Sequence, residues 1–285
     1  MTAKHFDNDF PIAWCPGCGN FSILKALKQA LEELAFQPHE IILVSGIGQA
    51  AKLPHYLRCN YFNGIHGRSL PVATAVRVAN DRIPVIVIGG DGDTYGEGGN
   101  HFIHALRRNI NVSLITHNNQ VFGLTRGQAS PTCELRFETP VQTHGVFLSP
   151  FNPISLAIDY ETPFVARGFT GDVQHLTGLI KEAINTTGFS LLDVLQPCVS
   201  FDKVHTLKWY KDRVYNLNEE GHDTFDRVTA MEKSKEWGER IPIGIFYQNT
   251  GKPTFEQQFP ALKDSPLVEG RPHPSQVEEL IASFL

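Results

Sequence analysis

The sequence predicts an α/β fold, a doubly wound and mostly parallel sheet, with an irregular C-terminal extension. Three observations predict it. Short apolar runs rich in β-branched residues recur between Trp14 and Leu195, amphipathic stretches fill the intervals, and the alternation stops beyond Pro197. The first helix spans Asn20 to Leu34, with Ile23, Leu24, Leu27, Leu31 and Leu34 at helical spacing. Strands follow at Ile41 to Val44 and Pro84 to Ile88. A second helix, Gly98 to Arg108, puts Phe102, Ile103 and Leu106 on one face and two arginines at its C-terminal end, where they suit the dipole. Strands at Val112 to Thr116, Phe164 to Ala166 and Leu191 to Leu195 complete the set. Beyond them, Trp209, Tyr210 and the stretch Ile241 to Pro260, with Phe246, Tyr247, Phe255 and Phe259, lack the rhythm. Such a region either wraps a neighbouring chain or forms a surface subdomain. The division expected is therefore 1–200 for the α/β domain and 201–285 for an extension contacting a partner.

Composition narrows the function classes. The 285 residues are 41% hydrophobic, enough for one large core. With 25 basic and 30 acidic residues the net charge is -5, which disfavours binding nucleic acid as the main role. The most apolar run, Pro84 to Ile88, is far short of the roughly 20 residues of a membrane span. Met1 to Asp9 is polar and lacks an apolar signal core, so a cytoplasmic protein is expected. Five cysteines, two of them in Cys15-Pro-Gly-Cys18, fit reduced thiols with some on a metal better than a disulfide framework.

The chemistry concentrates between Pro84 and Thr125. One strand ends in Gly89-Gly90-Asp91-Gly92-Asp93 and the next in His117-Asn118-Asn119. Parallel strands bring their carboxyl ends to one edge, where doubly wound sheets bind ligands. That juxtaposes Asp91 with Asn119, a carboxylate and an amide oxygen suited to a hard cation such as magnesium holding a diphosphate. The glycines let backbone N–H groups approach phosphate oxygens. A lone Gly-Asp-Gly is also an ordinary turn. A competing motif, Gly46-Ile-Gly48-Gln-Ala-Ala51, has the Gly-x-Gly-x-x-Ala form of a nicotinamide-binding turn, but no acidic residue ends a strand about 20 positions later.

Spacing decides among these. Gly90-Asp91-Gly92 is separated from Asn118-Asn119 by 25 residues, with a strand before each and a helix between, and this resembles the thiamine diphosphate binding motif. Trp14-Cys15-Pro16-Gly17-Cys18-Gly19, Ser45-Gly46-Ile47-Gly48, His66-Gly67-Arg68, Gly99-Asn100-His101-Phe102, Gly123-Leu124-Thr125 and Gln196-Pro197-Cys198 resemble the beta subunit of 2-oxoacid:ferredoxin oxidoreductases, the 2-oxoglutarate type most of all. The resemblance runs from about Phe10 to Phe201, with a weaker echo at Ile241 to Phe259.

The resemblance implies a sheet of the thiamine diphosphate-binding type. It implies Mg2+ on Asp91, the Asn119 side chain and the Val121 carbonyl. The diphosphate would lie along Gly90, Gly92, Asp93, Gly123 and Leu124, and the cofactor rings against Gly46, Ile47 and Gly48. His66 becomes the candidate catalytic residue, although in isolation a histidine beside Gly-Arg is more often a loop residue bonded to backbone. The glutamate that activates the cofactor belongs, in this family, to the partner alpha subunit. Cys15, Cys18 and Cys198 match ligands of a 4Fe-4S cluster, since soft thiolates suit iron. The position of the remaining family ligand is Gln49, a departure that leaves three outcomes open: Cys59 substitutes, a cluster survives on three thiolates, or none forms. Zinc, the alternative for Cys-x-x-Cys, also wants four ligands. Cys133 reads as an inert thiol. Lys52 matches a lysine that recognises the 2-oxoacid in some members. The reaction implied joins a 2-oxoacid, coenzyme A and oxidised ferredoxin to give acyl-coenzyme A, carbon dioxide and reduced ferredoxin.

Overall fold

The apolar runs of the first 200 residues become the middle of one sheet. The computed structural model describes residues 5–262, 266–270 and 274–284; Met1 to Lys4 of the polar start lie outside them. The strands are β1 (Ile42–Ser45), β2 (Asn60–Asn63), β3 (Val85–Gly90), β4 (Ser113–Asn118), a small hairpin of β5 (Val121–Phe122) and β6 (Gln128–Ala129), then β7 (Phe164–Phe169), β8 (Ser190–Leu195), β9 (Val214–Asn216) and β10 (Ile241–Gln248). The helices are α1 (Asn20–Glu33), α2 (Ser69–Ala79), α3 (Gly99–Arg108), α4 (Pro153–Asp159), α5 (Val173–Asn185), α6 (Leu207–Lys211), α7 (Arg227–Lys233) and α8 (Pro274–Ala282). The main sheet has eight strands in the order β2-β1-β3-β4-β8-β7-β10-β9, all neighbours parallel except β10 against β7.

Side chains alternate between two cores. Leu43, Ile86, Ile88, Ile115, Leu192 and Val194 pack with Ile23 and Leu27 of α1 and Ile180 of α5. Val44, Val85, Val87, Leu114 and Leu191 face the other way, onto Leu70, Phe102, Leu106 and Ile154 of α2, α3 and α4. Burial on both faces is what makes these strands continuous apolar runs. The register sets Gly90 beside His117, Asn118 beside Leu195 and Arg167 beside Asp193, so the carboxyl ends of β3, β4, β8 and β7 form one ledge.

Two regions differ from the sequence reading. β2, Asn-Tyr-Phe-Asn, is exposed along its length and has no apolar run to betray it. Its asparagines secure it instead: Asn60 Nδ2 donates to the Ile41 carbonyl and Asn63 Nδ2 to Ser45 Oγ. The second difference corrects the irregular reading of 241–260. Residues Ile241–Gln248 form the longest strand of the sheet, antiparallel to β7. Pro242, Gly244 at φ +107° and a register shift between Ile245 and Tyr247 hide its alternation. The aromatics of this region are largely spent inside the chain. Tyr210 is buried against Phe169 and Phe246 is fully buried, while Phe259 stays half-exposed. No helix among the described residues is long and apolar enough to cross a membrane.

Candidate active site at the sheet ledge

The ledge opens into a cavity of about 170 Å³. Its wall contains Ile47, Gly48, His66, Gly90, Asp91, Gly92, Asp93, Asn119, Val121, Gly123 and Leu124, residues that the sequence reading drew from four separate segments. The strand ends meet as parallel pairing requires. The N–H of Gln120, next to Asn119, donates to Asp91 Oδ2 at 3.0 Å. Ser130 Oγ at 2.5 Å and Thr132 Oγ1 at 2.6 Å reach the same oxygen. Burial pushes the Asp91 carboxyl up to about 6, and the two hydroxyls oppose that rise. Asn119 Oδ1 accepts from the Val121 N–H at 3.1 Å, which fixes the turn that presents the Val121 carbonyl.

Asp93 does something the motif does not announce. Its Oδ1 accepts from the N–H of Ile47 at 3.1 Å and of Gly67 at 2.8 Å, and lies 3.3 Å from His66 Nδ1. One carboxylate thus latches the loop after β1 to the loop before α2. Gly46 is itself behind the wall, and its glycine is forced: a Cβ there would stand 2.1 Å from Asp93 Oδ2. Gly92 is forced likewise, because a Cβ would meet the Phe122 ring at 2.2 Å. Burial holds the Asp93 carboxyl above the usual carboxylate range even with these partners.

The unspent hydrogen-bonding capacity of the wall tests what it can hold. Gln49 Oε1, Asp93 Oδ2 and His117 Nε2 are buried without a partner, and all three residues line this cavity. His117 Nδ1 sits 2.7 Å from Asn20 Oδ1, which places the proton on Nδ1 and leaves Nε2 an acceptor; burial pushes the imidazole down to about 3, so it is neutral. All three unpartnered atoms are therefore acceptors. They fit a ligand that brings donors and a cation. An anionic diphosphate beside two buried carboxylates requires a divalent ion between them.

The thiols form a second, looser corner. The Cys18 N–H closes a turn onto the Cys15 carbonyl at 3.0 Å, and the neighbouring Cys198 and Cys15 add to the burial that raises the Cys18 thiol. Gln196 Nε2 lies 3.4 Å from Cys18 Sγ, and Ser200 Oγ 3.2 Å from Cys15 Sγ. Among the described residues no three His, Cys, Asp or Glu side chains converge tightly enough for a single metal ion. Cys59 packs against the core, its thiol pushed up to about 12 by burial, and lines a separate hollow with Gln37, His39 and Asn60. Cys133 is buried, with its thiol also at about 12. Lys52 lies on the 3-10 turn Ala50–Tyr56, outside the cavity wall. Ser130, Thr132, Gln120 and His117 had no motif to announce them. Only the adjacency of His117 and Gln120 to Asn118-Asn119 was available as a signal.

A family model described as thiamine pyrophosphate enzyme, C-terminal TPP binding domain, matches residues 44–194. A second, for the C-terminal part of the pyruvate ferredoxin oxidoreductase beta subunit, matches 198–264. The 2-oxoacid:ferredoxin oxidoreductase subunit beta of Saccharolobus solfataricus is 44% identical over 94% of this chain and 95% of its own length. The 2-oxoglutarate oxidoreductase beta-type subunit of Mycobacterium tuberculosis is 42% identical over 70% of this chain and 53% of its own. A solved 2-oxoglutarate:ferredoxin oxidoreductase from Magnetococcus marinus, with 2-oxoglutarate, coenzyme A and succinyl-CoA bound, superposes with a TM-score of 0.91 at 31% identity, covering 99% of this chain and 96% of that one. A shared sheet, a shared cofactor-binding module and this depth of identity along the whole chain place it in the beta-subunit family of the 2-oxoacid:ferredoxin oxidoreductases.

Proposed function

We propose that this beta subunit holds thiamine diphosphate and Mg2+ in the ledge cavity and, with its alpha subunit, oxidatively decarboxylates 2-oxoglutarate to succinyl-coenzyme A and carbon dioxide, passing electrons to ferredoxin. The carrying observation is the meeting of Asp91 with the Asn119 turn in a wall whose unpartnered atoms are all acceptors. Asp91, Asn119 Oδ1 and the Val121 carbonyl would hold the magnesium. Gly90, Gly92, Asp93, Gly123 and Leu124 would line the diphosphate, with Ile47, Gly48 and His66 facing the rings and Gly46 supporting them from behind. Thiamine diphosphate supplies the electron sink that decarboxylation needs. The chain's own contribution is positional: Asp93 clamps both ring-facing loops, and neutral His117 offers a lone pair in the cavity wall.

For the thiols we propose a 4Fe-4S cluster on Cys15, Cys18 and Cys198 without a fourth thiolate. Three neighbouring sulfurs carrying hydrogen bonds from Gln196 and Ser200 suit it, and a cluster spaces its thiolates more widely than a single ion does. Gln49 stands where the fourth would be, its backbone carbonyl accepting from the Trp14 indole at 2.8 Å. 2-Oxoglutarate is placed first among substrates because the Magnetococcus marinus structure binds it, with Lys52 proposed for its distal carboxylate. Pyruvate or another 2-oxoacid is the second reading. A cytoplasmic location is proposed with it, as is reversibility toward carbon dioxide fixation. The nicotinamide reading has less support: Gly46-Ile-Gly48 leads into a 3-10 turn containing Pro54 rather than a long helix, and β2 ends in Asn63, not an acid.

The test is anaerobic co-purification with the alpha subunit, a visible spectrum, iron and acid-labile sulfide content, and viologen dye reduction over a panel of 2-oxoacids. Coenzyme A-dependent reduction fastest with 2-oxoglutarate is the expected result. Reduction independent of thiamine diphosphate overturns the assignment.

A further inference from the structure

Behind the ledge lies a second cavity of about 220 Å³ that the proposed chemistry does not use. Arg167 lines it from β7 and is 4% exposed, its guanidinium 5.5 Å from the centre of the Trp237 ring and 5.3 Å from that of Phe246. Its Nε faces Asp193 Oδ2 across a long ion pair of 3.7 Å, and neither Nε nor Nη1 of the guanidinium makes a hydrogen bond. Gln120 lines the same space, also 4% exposed, and its Oε1 has no donor, although Nε2 is spent on the Thr132 carbonyl at 3.1 Å. The other acids on the wall are occupied. Glu134 takes His205 at 3.1 Å and the Trp237 indole at 2.5 Å, and Glu236 pairs with Lys233 at 2.7 Å.

Two idle donors and one idle acceptor, each nine-tenths buried, describe a ligand. A guanidinium N–H wants a carboxylate oxygen, and a lone amide oxygen wants a hydroxyl. The geometry points to a binding site in this cavity for a small oxyanion carrying one hydroxyl, a hydroxycarboxylate of which hydrogencarbonate is the smallest member. Arg167 grips the carboxylate and Gln120 Oε1 accepts from the hydroxyl. Arg167 and Gln120 set the specificity together: acetate satisfies the first and leaves the second buried and unmet, a loss worth about tenfold in affinity. Gln120 also touches the first site, since its N–H holds Asp91.

Glycolate, hydrogencarbonate and acetate are titrated separately into the alpha–beta complex, with thiamine diphosphate and Mg2+ present, by isothermal calorimetry. Glycolate, hydrogencarbonate or both should saturate one site per beta chain, and which of them does so distinguishes an organic acid from hydrated carbon dioxide. Acetate should bind about tenfold more weakly. Arg167→Met should abolish the site. Gln120→Met should bring glycolate and hydrogencarbonate down to the level of acetate while leaving acetate unchanged, and it decides the matter if Arg167→Met strands Asp193 and fails to fold. No saturable binding at about 10 mM, where a ligand with a dissociation constant of about 1 mM is mostly bound, overturns the proposal. So does acetate binding as tightly as the hydroxylated anions, or binding that survives Arg167→Met.

Discussion

The ledge cavity and the thiol corner lie at two ends of the same sequence motif set, yet they are built differently. In the cavity, Asp91 is buried at a strand end and reached by three donors from two other segments, and Asp93 ties two loops together. At the corner, Cys15 is exposed on a turn, and Cys198 sits just past β8 with no hydrogen bond fixing it to the other two. The cavity is preorganised by the protein. The corner is a set of neighbours whose final arrangement must come from what they bind. Sites on rigid strand ends hold their geometry unaided, whereas sites on turns borrow it from the ligand.

Four measurements break or sharpen that contrast. The largest effect belongs to Asp91→Ala, which should abolish Mg2+-dependent retention of thiamine diphosphate in equilibrium dialysis while the fold persists by circular dichroism; retained cofactor would remove Asp91 from the metal site. Cys198→Ser should cost the complex most of its iron and acid-labile sulfide yet leave thiamine diphosphate binding intact. If both fall together, the two sites are not independent.

Stability gives the third. His205 is buried between Asp202 at 2.7 Å and Glu134 at 3.1 Å; burial alone would lower it, but the two carboxylates prevail and hold it up to about 9. A histidine raised in the fold stabilises most below its unfolded value of about 6.5, and that contribution fades as pH climbs through about 9. His205→Gln should therefore lose on the order of 3 kcal/mol in urea unfolding near pH 6 and much less at pH 9.5. An equal loss at both values would show that the pair is not ionic. The smallest effect is Lys52→Ile, expected to raise KM for 2-oxoglutarate several-fold more than for pyruvate; matched changes would dismiss a carboxylate role.

What the sequence disclosed follows from the same contrast. Ile42 to Val44, Val85 to Ile88 and Leu191 to Val194 are buried on both sides, so their composition announces them. Asp91 and Asn119 are legible because both sit at the ends of such strands with a fixed interval between. β10 was hidden by Pro242 and Gly244, and β2 by its lack of burial. The clamp formed by Asp93, the neutral state of His117 and the idle guanidinium of Arg167 depend on three-dimensional neighbours from distant segments, and no interval along the chain encodes them.

The antiparallel run of β10 along β7 has a practical consequence. A gene cut after codon 200, though it would retain the family's signature residues, would leave β7 as a raw hydrogen-bonding edge beside a guanidinium stripped of Phe246 and Trp237. Such a fragment should self-associate through that edge rather than behave as a portable cofactor module, so the region beyond residue 200 works as the sheet's own selvage.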